Sequence, residues 1–118
     1  MLEALFGSKD KENTLQYIFA RGQGYASEIA DFYGTKSSQI IKQLEALEIA
    51  GVLASFQIGR ARIYKYNPRY YFLNELESLL LKARDTYKPE LIEQLTKAKV
   101  APRRKGKPTF ERRTTEWN

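Results

Sequence analysis

Apolar residues in this chain recur at helical spacing, then at strand spacing, then at helical spacing again. Leu15, Ile18 and Phe19 follow Ser8, a residue suited to capping, and Asp10 and Glu12 occupy a first turn where the helix dipole favours anions. Gly22 and Gly24 close that segment, and Tyr25 with Ala26 allow a brief extended stretch. A second helix opens at Ala26 or Ser27, turns Ile29, Ala30 and Tyr33 (or Phe32) inward, and stops at Gly34. A third opens almost at once, at Thr35 or Lys36. At about 100° per residue it places Ser37, Ile40, Ile41, Leu44, Leu47 and Glu48 on one side. Thr35, Ser38, Gln39, Lys42, Gln43 and Ala46 fall on the other, and Gly51 is a natural stop.

From Val52 the period shortens to two. Leu53, Ser55 and Gln57 alternate with Val52, Ala54, Phe56 and Ile58; beyond Gly59-Arg60, residues Arg62, Tyr64 and Tyr66 alternate with Ile63 and Lys65. Two such runs around a tight turn predict a β-hairpin with a basic tip, ended by Asn67-Pro68. Helical spacing returns with Phe72 (or Leu73), Leu76, Leu79, Leu80 and Ala83. Tyr87-Lys88-Pro89 interrupts it, and Leu91, Ile92 and Leu95 allow a further short helix. After Pro102 charges dominate, which is the composition of a flexible arm. The expected organisation is one domain over residues 1–86, with a candidate dimerisation helix at 70–86, a short C-terminal helix at 87–99 and a basic flexible tail at 100–118.

Helix, helix, tight turn, helix, hairpin, helix is the order of a winged helix-turn-helix. The expected fold is therefore mainly α with a small antiparallel β-hairpin, a C-terminal helical extension and a basic tail. In that arrangement the second helix sets the angle of the third, which is narrow enough for the major groove of B-DNA. Gln39 and Gln43 each offer a donor and an acceptor to adenine, and Lys42 reaches guanine acceptors or phosphate. Thr35 and Ser38, near the helix N-terminus, suit phosphate, as does Lys36. Arg60 and Arg62 suit the backbone or the adjacent minor groove. The stripe of Phe72, Leu76, Leu79 and Leu80 either covers the core or pairs two copies, and a homodimer is the expectation.

Charge sharpens this picture. Residues 97 to 118 carry eight basic against two acidic side chains, the whole net charge of +6. Residues 34 to 69 carry six basic (Lys36, Lys42, Arg60, Arg62, Lys65, Arg69) against Glu45 and Glu48. Positive charge gathered in the middle third and the tail points to a polyanion as partner. Within the tail, Arg103, Arg104, Lys105 and Lys107 are the candidate nucleic-acid contacts. Pro102 to Pro108 also has the outline of a degenerate AT-hook, with lysines where that motif prefers arginines. Phe110 and Trp117 suggest no role.

The chain contains neither cysteine nor histidine, which removes thiolate and imidazole chemistry and every zinc site built on them. No enzyme, no metal and no cofactor is expected. No apolar run approaches the ~20 residues of a membrane span, and the N-terminus lacks the pattern of a secretory signal, so the cytoplasm is the expected compartment.

The stretch from Gly24 to Tyr70 resembles winged-helix regulators of the ArsR/MarR type. The matching residues are Glu28-Ile29-Ala30, Ser38, Leu44, Leu47-Glu48, Ala50-Gly51-Val52, Gly59-Arg60, Tyr64 and Asn67-Pro68. The resemblance covers roughly residues 5 to 86. It implies a transcriptional regulator that binds double-stranded DNA, acting as a homodimer on pseudo-palindromic operators. Metal sensing through cysteine or histidine, common among ArsR-like proteins, is excluded here. Two other readings remain: a winged-helix scaffold for protein partners, and RNA or single-strand binding through the tail, with Tyr64 and Tyr66 as stacking residues.

Overall fold

The structure, a computed structural model, describes residues 1–97. Among these, the elements run α1 (Glu3–Phe6), α2 (Lys9–Arg21), α3 (Ala26–Tyr33), α4 (Ser37–Ile49), β1 (Leu53–Ile58), β2 (Ala61–Tyr66), α5 (Leu73–Ala83), a 3-10 turn (Arg84–Thr86) and α6 (Pro89–Thr96). Local chemistry sets the boundaries. Ser8 caps α2, its Oγ accepting from the Lys11 N–H at 3.2 Å. Gly34 ends α3 in left-handed backbone at φ 70°, so α4 starts after only Thr35 and Lys36 intervene. Pro89 opens α6 where its missing N–H costs nothing.

Helix α2 is the axis of the molecule and packs against α1, α3, α4, α5, α6 and β2. Its apolar Leu15, Tyr17 and Ile18 are buried, but so are Glu12, Thr14 and Gln16. Periodicity assigns this helix one inward face; enclosure on all sides is what occurs. Two of the three buried polar side chains, Glu12 and Gln16, are bonded to the surrounding elements, while the Thr14 hydroxyl has no hydrogen-bond partner. The Glu12 carboxylate accepts from the Leu2 N–H at 3.1 Å, from the N-terminal ammonium at 3.4 Å and from the Tyr87 hydroxyl. Gln16 donates through Nε2 to the Leu80 carbonyl at 2.8 Å and accepts from Arg84 Nε at 3.4 Å. Arg21 donates to the Leu95 and Gln94 carbonyls at 2.9 and 3.0 Å, a favourable place for a cation at the C-terminal end of α6. Helix α6 thus returns to α2, and Leu95 joins the core.

The two strands pair antiparallel, with Leu53 opposite Tyr66 and Ile58 opposite Ala61 around Gly59-Arg60. The turn expected at Gly59-Arg60 is where the structure has it, with Gly59 at φ 58°. A bridge adds Gly24 to β2, its N–H donating to the Tyr64 carbonyl at 3.0 Å and the reverse bond at 2.8 Å. A Cβ at Gly24 would stand 3.1 Å from the Tyr17 ring and 3.3 Å from Ile29 Cδ1. Glycine is what lets this segment close against hairpin and helices together. The extended stretch is therefore centred on Gly24, one residue before the expected Tyr25-Ala26.

These helices, with a hairpin after α4, form a winged helix-turn-helix that is mainly α, continued by α5 and α6. One element is new, and two expectations need correction. Helix α1 has no counterpart in the sequence pattern: it is a single turn, and Leu2 just before it is buried. Ile41 does not join the core side of α4; it is 42% exposed, because the buried row is Ile40, Leu44 and Leu47 and Ile41 lies about 100° away from it. Leu80 is not on a free interface stripe. It is fully buried with its carbonyl held by Gln16, Leu76 and Leu79 pack against the core, and the outward apolar residues are Tyr71, Phe72 and Leu81.

Candidate nucleic-acid interface

Burial of Ile40, Leu44 and Leu47 fixes the rotation of α4 about its own axis. Half a turn away, Ser38, Lys42, Glu45 and Ile49 form its outermost row, and all four are exposed. The flank toward the hairpin presents Ser37, Ile41 and Glu45. Together with Ile58, Arg60 and Arg62 of the hairpin and Tyr64 they line a groove of about 620 Å³. The N-terminal residues of α3, Tyr25 to Ser27, complete that groove. On the opposite flank Thr35, Lys36 and Gln39 share a shallow recess with Asp10 and Gly34, and Gln43 is half-buried.

The eight candidate contact residues therefore divide. Ser38 and Lys42 face straight outward. Arg60 and Arg62 sit in the hairpin wall of the groove. Thr35, Lys36, Gln39 and Gln43 lie on the flank away from it, and the Thr35 N–H is occupied by the Ala30 carbonyl at 3.0 Å. Sequence reasoning passed over Ser37, Ile41 and Glu45. The signal for them is the spacing of Ile40, Leu44 and Leu47, which leaves Ile41 outside once the core row is centred on those three. The tail candidates Arg103, Arg104, Lys105 and Lys107, and with them the AT-hook outline, lie outside the described residues.

Electrostatics distinguish the cations. The Arg62 guanidinium donates to Ser55 Oγ at 2.8 Å, and that hydroxyl donates to the Glu48 carboxylate at 2.7 Å. This relay ties the wing to the C-terminal half of α4 and fixes Arg62 in place. Arg60 at the turn and Lys36 and Lys42 on the helix side are exposed. Burial raises the Tyr64 phenol above its ordinary value, with Glu48 and Glu45 adding to the effect, so both carboxylates act on the floor of the groove. Tyr64 is buried, and the Tyr66 hydroxyl donates to the Leu15 carbonyl at 2.7 Å. Both rings are packing residues, not open stacking platforms.

Among the described residues no group of three His, Cys, Asp or Glu could hold a metal ion, and no helix is long and apolar enough to cross a membrane. No protein-family model matches the chain, and no curated protein matches it. In fold it is similar to the crystal structure of the transcriptional regulator BldR from Sulfolobus solfataricus. That likeness has a TM-score of 0.52 at 16% sequence identity, over 85% of this chain and 70% of that one. The adhesin competence repressor AdcR from Streptococcus pyogenes aligns with a TM-score of 0.48 at 11% identity, over 81% of each chain. The likeness to BldR is one of fold, in agreement with the winged helix-turn-helix architecture built up above.

Proposed function

We propose that this protein is a DNA-binding transcriptional regulator that grips duplex DNA with α4 in the major groove and the wing on the adjacent backbone or minor groove. One observation carries the reading: the wing-facing flank of α4 (Ser37, Ile41 and Glu45) and the wing arginines border a single groove, and the exposed Ser38 and Lys42 stand on the row beside that flank. Ser38 and Lys42 read base edges, while Arg60, Arg62 and Lys36 hold phosphates. Gln39 and Gln43 act from the flank. The tail, through Arg103, Arg104, Lys105 and Lys107, adds affinity that is independent of sequence. The protein works in the cytoplasm without a catalytic centre or metal. Two copies pair through the exposed apolar surface of Phe72 and Tyr71, whose rings touch each other.

The test is a salt titration of binding to mixed-sequence duplex, followed by fluorescence anisotropy. It compares the full chain, a chain ending at Lys99, and the full chain with Ser38→Ala, Gln39→Ala and Lys42→Ala. The shortened chain should still bind, with log K depending less steeply on log salt by ~0.9 for each phosphate that the tail neutralises in the full chain. The triple variant should lose affinity. If shortening abolishes binding while the triple variant matches the parent, α4 does not touch DNA and the fold serves as a scaffold for a protein partner.

A further inference from the structure

Ile41 has no role in the core, yet it is the central residue of the α4 flank that faces the wing. Across the groove stands Ile58, itself 56% exposed, beside the glycine of the hairpin turn. An exposed isoleucine alone would mean little. Here two isoleucines share one groove whose hairpin wall carries Arg60 and Arg62, and Lys42 follows Ile41 directly on α4. A ligand that satisfies both features must be a polyanion that also presents an apolar group.

The major groove of DNA offers one such group, the 5-methyl of thymine, set beside the O4 acceptor. RNA fails on both counts: uracil lacks the methyl, and the deep, narrow A-form major groove does not admit side chains. We infer that Ile41 is a specificity-determining residue that packs against a thymine methyl, so that the preferred half-site contains thymine facing the wing side of α4. The inference rests on the duplex-binding reading above and deepens it. Ser37 and Glu45, one turn to either side of Ile41 on the same flank, frame the contact. Glu45 adds a carboxylate that accepts from a cytosine amino group and repels the acceptor edge of guanine.

The experiment begins with duplexes enriched by the full chain from a random library. The enriched pool is amplified once with dTTP and once with dUTP, giving the same sequences with and without the methyl. Binding of both pools is measured for the parent and for Ile41→Ala, whose melting curve checks that the fold is kept. The parent should bind the deoxyuridine pool about four-fold more weakly, equivalent to ~0.8 kcal/mol for one methyl-sized group removed from water. Ile41→Ala should bind both pools equally. Equal binding of both pools by the parent overturns the inference and leaves duplex binding intact, as does an undiminished penalty in Ile41→Ala. Enriched sequences without a recurring thymine overturn it too. If no duplex is enriched at all, the DNA-binding reading falls and this inference falls with it.

Discussion

Helices α2 and α4 are the same length, 13 residues each, and they use their side chains in opposite ways. Helix α2 is the more polar of the two in composition, yet it is enclosed, with Glu12, Thr14 and Gln16 buried beside Leu15 and Ile18. Helix α4 is the more apolar, yet it leaves Ile41 and Ile49 exposed. The neighbours make the difference. Six other elements pack around α2, so Glu12, Gln16 and Arg21 are bound up in holding α1, α5 and α6 to the domain. Helix α4 is buried along the row of Ile40, Leu44 and Leu47, with Gln43 and Glu48 half-buried beside it, and its outward face is open to a partner. A helix's role in this fold follows from what surrounds it more than from its own composition.

The largest expected effect breaks that contrast in the core. Ile18→Ala removes a fully buried side chain from α2 and should cost about 2–5 kcal/mol of stability. Ile41→Ala on α4 should stay within about 0.5 kcal/mol of the parent, as surface substitutions do. Urea denaturation of both variants measures the two values on one scale. Similar destabilisation of both would mean that α4 is packed on the groove side as tightly as α2.

A smaller effect probes the buried polar contacts of α2. Burial alone would raise the Glu12 carboxyl, but the Tyr87 hydroxyl, the nearby Lys9 and N-terminal ammonium charges and the Leu2 N–H outweigh it and hold Glu12 below its ordinary 4.5. Glu12 is therefore more acidic folded than unfolded. Its contribution to stability is fully present above pH 4.5 and is lost as pH falls through the lower folded value. Glu12→Gln should cost about 1–3 kcal/mol at neutral pH, since it sets an amide where every partner donates. It should also flatten the decline of stability between pH 5 and pH 3 relative to the parent, read from denaturation midpoints across that range. A variant that keeps the parent's acid dependence would assign that dependence to another carboxylate.

The same contrast explains what could be read from the sequence. Elements bounded by punctuation were legible: Ser8, Gly22, Gly34 and Gly51 mark helix ends, Gly59-Arg60 marks the hairpin turn, and Pro89 restarts the last helix. The wing cations were legible because alternation in β2 places Arg62 one step from the turn. What could not be read was rotation. Around α2 the partners come from residues up to 75 positions away, as with Tyr87 on Glu12, and no local period announces that a glutamate will be buried. On α4 the isoleucine pair Ile40-Ile41 invites both residues into the core, and only the neighbouring Leu44 and Leu47 decide which one enters. That small rotation moved Gln39 and Gln43 off the wing side and brought Glu45 onto it. Leu79 and Leu80 posed the same problem in α5, where Leu80 went fully inward.

The smallest effect tests that rotation directly. Glu45 is exposed on α4 and lines the groove with Arg60 and Arg62, so a phosphate held by those arginines feels its charge. At a separation on the order of 8 Å in water-like surroundings, one such repulsion amounts to ~0.5 kcal/mol. Glu45→Gln should therefore tighten binding to mixed-sequence duplex roughly two-fold at low salt. The gain should vanish as salt shortens the screening length to ~3 Å near 1 M. Anisotropy at two ionic strengths is enough to see it, with unchanged urea stability excluding a folding effect. No gain at low salt would mean that DNA approaches α4 from the flank of Gln39 and Gln43. The groove between α4 and the wing would then be left to another partner.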